Sequence, residues 1–157
     1  MKPSRALPVI TLLLLTLTAC SDAPSPEEQI RVVMQRAERA VEDGDLNALM
    51  KLVSDDYEDA AGRDKKTLRG IVAFYMRQND KLHVFYQEKK LVLADPDRGD
   101  VTAVVALAGQ PLGRGLDLST ISADLLRVYV TFERQSGDFK VVHAEWDGAR
   151  LTDFVID

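Results

Sequence analysis

The hydrophobic period of this chain changes once, at Leu82, and no other feature constrains its fold as strongly. Before that point apolar residues recur at helical spacing: Ile30, Val33, Met34, Ala37, Ala40 and Val41, then Leu46, Leu49, Met50 and Val53, then Leu68, Ile71, Val72, Tyr75 and Met76. Ser25-Pro26-Glu27-Glu28 carries a capping Ser, a Pro at the first helical position and a Glu three after the cap, which together start the first helix. Gly44 ends it, Asp45 caps the second and Asp64 the third, with Gly70 as the weak point of the third. Ser54 to Ala60 reads as a turn and a short strand around Tyr57. After Leu82 come β-rich runs, Leu82 to Ala94, Val101 to Ala108, Ala123 to Gln135 and Phe139 to Asp147. Asp95 to Asp100 and Ser136 to Asp138 have hairpin-turn chemistry, so the strands they join are expected to be antiparallel. Gln110 to Ser122 reads as a longer loop. Helices first and strands afterwards predict an α+β domain: three N-terminal helices packed on a curved antiparallel sheet of four long strands plus a short strand.

At the N-terminus Lys2 and Arg5 precede an apolar run from Leu7 to Leu17. That is about 11 residues where a membrane-crossing helix has roughly 20, so it reads as a signal-peptide core. Leu17-Thr18-Ala19-Cys20 then resembles the lipobox of bacterial lipoproteins, which implies acylation of Cys20, the only cysteine, and cleavage before it. The alternative is an ordinary secretory signal with a chance Cys. The expected division is a signal peptide over 1–19, the lipidated Cys and a short linker over 20–26, and one domain over 27–157. Cleavage removes Lys2 and Arg5, leaving 18 basic residues against 25 acidic and a net charge of −7. Two or three acyl chains hold a protein to a bilayer without a spanning helix. Ser21, in the sorting pattern this resembles, implies passage to the outer membrane, facing the periplasm. The linker to Ser25 reaches at most about 18 Å, so the domain is expected close to the bilayer.

Composition removes several classes of function. With 46% hydrophobic and 29% charged residues the chain is neither disordered nor collagen-like. A net charge of −5 without a basic cluster argues against a nucleic-acid partner. One Cys and two separated His offer no metal site, and no cofactor is expected.

Three passages carry a resemblance to the nuclear transport factor 2-like superfamily, with its SnoaL-like and ketosteroid-isomerase-like members. Ala40-Val41-Glu42-Asp43-Gly44-Asp45-Leu46-Asn47-Ala48-Leu49 is similar to the family's corner between the first two helices. Ser54-Asp55-Asp56-Tyr57 with Gly62-Arg63-Asp64-Lys65 looks like its short strand and the turn into the third helix. Gly137-Asp138-Phe139-Lys140-Val141-Val142-His143 is similar to its last strand. The resemblance implies a cystatin-like cone whose mouth often holds a small apolar ligand, in a family with both enzymes and binding proteins.

The period of two along strands then selects the lining. A three-residue loop over Ser136 to Asp138 sets Val128 opposite Trp146, Val130 opposite Ala144 and Phe132 opposite Val142, one apolar face assigned to the helices and the cone. Arg127, Tyr129, Thr131, Glu133, Val141, His143 and Glu145 fall on the other face, where Tyr129, Thr131 and His143 mark a candidate homodimer surface. A loop of two or four residues would mix the faces. The candidate ligand-binding residues are thus Tyr57, Tyr75, Val128, Val130, Phe132, Val142, Ala144 and Trp146, and core packing is their plain alternative.

Asp59 is the weak candidate for a catalytic base, because the resemblance puts an Asp near that point and an apolar cone would raise its pKa. The alternative is one more solvated residue in the cluster Asp55, Asp56, Glu58 and Asp59. Tyr57 or Tyr75 would supply half of an isomerase-type oxyanion hole, and no second Asp can be placed. His143 and Glu145, two apart on one strand, are an acid/base pair or a structural one, and His83 reads as an exposed strand residue. The turn at Asp95 to Asp100 lacks the order of a calcium loop. The expected function is a lipid-anchored, non-enzymatic domain binding a small hydrophobic ligand or an envelope partner. The alternatives are a cone-site enzyme of isomerase or dehydratase type, and an interaction module with a filled cone.

Overall fold

The computed structural model describes residues 23–79, 81–109 and 123–154. The signal segment, Cys20 and the loop over 110–122 lie outside the described residues. Helix α1 spans Pro26–Glu42, α2 Leu46–Lys51 and α3 Lys65–Gln78, followed by β1 (His83–Asp95), β2 (Arg98–Ala108), β3 (Ala123–Gln135) and β4 (Asp138–Gly148). The caps are those the sequence predicts. Ser25 accepts from the Glu28 backbone while Glu28 accepts from the Ser25 backbone, and Asp45 and Asp64 each accept an N–H three residues on, at 2.8 Å. Gly44 closes α1 in the left-handed region, at φ +68°.

The sheet is antiparallel in the order β1-β2-β3-β4, and one face of it receives the helices. Ile30 and Val33 of α1 pack with Val101, Ala103, Phe132 and Phe139 in the main core. A second cluster joins Met50, Val53 and Tyr57, with Leu68, Val72 and Ala144 against it. Gly99 lets α1 approach the sheet: a Cβ there would sit 2.6 Å from Ile30 Cδ1. Arg134 ties the corners together, since its guanidinium donates to Asp97 in one hairpin turn, to the Gly137 carbonyl in the other and to Gln29 of α1, and stacks on Phe139 at 4.3 Å.

The β3–β4 hairpin corrects the expected register. Gln135 pairs with Asp138 across a two-residue turn whose Ser136 and Gly137 have φ of 52° and 94°, the positive-φ geometry that matches strand twist. A bulge at Val142 then supplies the missing residue, so Phe132 faces Val141, while Val130 still faces Ala144 and Val128 still faces Trp146. Turn and bulge each shift the register by one, and the shifts cancel. Val141, expected on the outer face, packs instead against both hydrophobic clusters. Its N–H and C=O bond to Leu52 and Ser54, and the Glu58 N–H donates to Val142, so the segment after α2 covers the outer edge of β4. The short strand expected around Tyr57 contracts to bridges at Val53 and Glu58. At the other edge β1 carries bulges after Glu88 and after Leu93.

After β4 the chain turns over the face opposite the helices in a short 3-10 helix, Leu151–Phe154. Phe154 meets Phe85 at 6.3 Å between ring centres, and Asp153 pairs with Arg127 at 2.9 Å. Of the candidate dimer surface, Tyr129 is exposed while Thr131 donates to Asp100 at 2.7 Å. Among the described residues no helix is long and apolar enough to cross a membrane.

Candidate functional site

Between α3 and the sheet lies an open cavity of about 570 Å³, within the range of roughly 300 to 1,000 Å³ usual for small-molecule sites. Helix α3 lines it with Leu68, Ile71, Val72, Tyr75 and Met76, one complete helical stripe. The sheet contributes Val105 and Leu107 from β2, Asp124, Leu126 and Val128 from β3, and Trp146 from β4. None of the α3 residues is buried, and Ile71 is 38% exposed. Among the described residues the stripe borders open space, with Leu68 and Val72 also touching the second cluster.

Three of the predicted lining residues are there: Tyr75, Val128 and Trp146. The others are not. Phe132 is fully buried in the main core, with Val130 packed beside it, because the sheet closes on α1 at that end. Tyr57 and Ala144 belong to the second cluster, and Val142 is the bulge residue. Asp124 was missed, although it lies on the face of Val128 four residues along β3. The α3 stripe, expected to pack on the sheet, does so only in part, at Leu68 and Val72, and otherwise forms the cavity wall.

Among the described lining residues the polar groups are concentrated in one pair. The Tyr75 hydroxyl donates to the Asp124 carboxylate. Burial, with the Asp124 bond adding to it, pushes the Tyr75 pKa up to about 12, so the hydroxyl keeps its proton at neutral pH. No Lys, Arg or His is among the described lining residues.

Asp59 differs from the expectation in place and in charge state. It is buried, at 4% exposure, but outside this cavity. Its carboxylate accepts the N–H groups of Ala61 and Arg63, both at 2.9 Å, and Nε of Arg63 at 2.6 Å. Burial alone would raise its pKa, but the Arg63 backbone and guanidinium bonds, with that from Ala61, hold it below the usual carboxylate range. A carboxylate held so is a structural anion and a poor base. Arg63 in turn lies over the Trp146 ring at 4.9 Å, in a separate polar groove beside the end of β4. Tyr57 is 2% exposed, its hydroxyl has no hydrogen-bond partner among the described residues, and burial, with Asp59 adding, pushes its pKa up to about 12.

His143 is held at both nitrogens, by the Glu58 carbonyl at 2.5 Å and the Glu145 carboxylate at 3.1 Å. The Glu145 bond raises its pKa, helped by the Glu58 carbonyl and opposed by partial burial. His83 stands 3.8 Å from Glu42, and neither His lines the cavity. No group of three metal-ligating residues occurs among the described residues.

No family model matches the sequence, and no curated protein does. Solved structures do match in shape. A candidate scytalone dehydratase from Novosphingobium aromaticivorans superposes with a TM-score of 0.65 at 12% identity, over 83% of this chain and 89% of that one. A nuclear transport factor 2-like protein of unknown function from Pseudomonas putida gives 0.57 at 23%, over 77% and 84%. The Bd1075 protein of Bdellovibrio bacteriovorus gives 0.61 at 11%; the match covers 78% of this chain but only 40% of that larger protein. The fold is thus the nuclear transport factor 2-like α+β cone, shared with a candidate dehydratase and with a protein of unknown function, and fold alone does not fix function.

Proposed function

We propose that this chain is a lipid-anchored protein of the bacterial cell envelope, attached through Cys20 at the periplasmic side of the outer membrane, whose domain binds a small hydrophobic molecule in the cone. The observation that carries the binding role is the apolar stripe of α3, which borders about 570 Å³ of open space and leaves Ile71 exposed and Leu68, Val72, Tyr75 and Met76 only half-buried. A contiguous apolar surface that borders open space in this way marks a ligand-binding groove or an interaction site. The filled-cone alternative loses its support to that space, and the enzymatic alternative loses Asp59, which is bonded to Arg63 outside the cavity, and keeps Asp124 as the one carboxylate in the described lining.

The test uses the single Trp, which lines the cavity. Titration of decanol into the mature chain, with Cys20→Ser to prevent acylation, is expected to quench or blue-shift Trp146 emission saturably. Val128→Phe, which narrows the cavity beside Trp146, is expected to weaken that response. Absence of a saturable response refutes the binding role.

A further inference from the structure

The polar end of the cavity is made of two groups whose hydrogen-bonding capacity is already constrained. A carboxylate has acceptors and no hydrogen to give, while a phenol has one hydrogen and accepts with its oxygen. Tyr75 spends its one hydrogen on Asp124. What the pair still offers an incoming molecule is acceptors only, with one negative charge. The remaining described lining residues are apolar apart from the Trp146 indole N–H, and none is cationic. Trp146 pairs with Val128, four residues from Asp124 along β3, which is about 13 Å at roughly 3.3 Å per residue. The indole thus serves the far end of the cavity from Tyr75 and Asp124.

We propose that the cone selects amphipathic molecules whose apolar body ends in a hydrogen-bond donor, an ammonium before all and a hydroxyl next, and that it rejects those ending in a carboxylate or another anion. This inference rests on the binding role proposed above and narrows it to a ligand class. Asp124 is exposed at the cavity's mouth, so an anionic head placed there keeps part of its water but meets like charge and acceptors facing acceptors, and no cation in the described lining attracts it. An ammonium head there gains a charge-assisted bond while its tail covers the stripe of α3.

The experiment compares decylammonium, decanol and decanoate, below their micellar concentrations, by Trp146 emission in the mature chain with Cys20→Ser. Decylammonium is expected to bind about threefold to tenfold more tightly than decanoate, because Asp124 is exposed and solvent screens the charge, with decanol between. Because the whole chain is acidic, the same titrations in Asp124→Asn separate the site from the general field. That change is expected to remove most of the difference between the two charged probes, whereas a preference due to net charge would survive it. Decanoate binding as tightly as decylammonium to the wild type, or an unchanged ratio in Asp124→Asn, overturns the inference while decanol binding leaves the cavity's role standing. No response to any of the three overturns both.

Discussion

Gly99→Ala tests the packing that holds α1 on the sheet. Gly99 lies in β2 opposite Leu93 and Phe132, and a methyl group there would meet Ile30 Cδ1 at 2.6 Å and Leu93 Cδ2 at 3.0 Å. Carbon atoms in contact sit about 3.5 to 4.0 Å apart, so the overlap with Ile30 is about 1 Å. The end of an aliphatic side chain would ordinarily give way, but Ile30 has 0% exposure and is enclosed by the main core. The expected loss is about 1 to 3 kcal/mol, the usual range for overpacking. For a domain of this size each kcal/mol lowers Tm by about 3 to 5 °C, readable by calorimetry or circular dichroism. Ile30→Val removes the clashing Cδ1 and by itself costs about 0.5 to 1.5 kcal/mol. The double variant is therefore expected to lose clearly less than the two single losses added together. A neutral Gly99→Ala, or strict additivity in the double variant, would refute the close approach of α1.

Trp146→Ala is expected to cost about 1 to 3 kcal/mol in urea denaturation, less than the roughly 3 to 5 of a core aromatic, because the ring is 36% exposed and borders a cavity. A loss at the core value would place the residue in a packed interior. The His143 imidazole is expected to titrate above its ordinary 6.5. Its contribution to stability is then complete below the unfolded pKa and is lost as pH rises through the folded one. An NMR midpoint at or below 6.5, or a stability difference from His143→Ala that grows with pH, contradicts the bonds to Glu58 and Glu145. Cys20→Ala is expected to block lipidation and processing, and an N-terminal peptide without acyl mass in native-type cells would remove the anchor. For assembly, light scattering at high concentration is expected to show a dimer through the face of Tyr129, Thr131 and His143, broken by Tyr129→Asp; a monomer throughout excludes that interface.

The helices were legible because their signals are local. Ser25, Asp45 and Asp64 cap where their spacing predicts, and the stripes of α1 and α3 are complete. The hairpin register was harder, because the Ser136-Gly137 turn and the bulge at Val142 each shift it by one and cancel beyond the bulge. The pairing of Val128 with Trp146 was therefore right, while the sides of Val141 and Val142 were not. At the site, periodicity gives the face of a strand but not the depth along it. Val128 and Phe132 share a face, yet one borders open space and the other is sealed beneath α1, which depends on how far α1 and α3 diverge over the sheet. Asp59 escaped for a different reason. Its partner Arg63 is only four residues away, but a loop has no fixed period from which to read that the two side chains meet.

The guarded edges of the sheet bear on how this protein meets its neighbours at high local concentration. An exposed strand edge is a template for pairing with another chain, and aggregation begins where such templates are long and flat. Here β4 is sheltered by the segment after α2, through the bonds of Val141 and Val142 to Leu52, Ser54 and Glu58. The opposite edge strand, β1, is interrupted by two bulges and carries Glu88, Lys89 and Lys90 at the first of them. The native molecule thus presents no long flat edge among the described residues. Clumping on heating is expected to follow the detachment of the 52–58 segment, the step that bares β4, and its rate to track the population of that opened form rather than the total amount of folded protein.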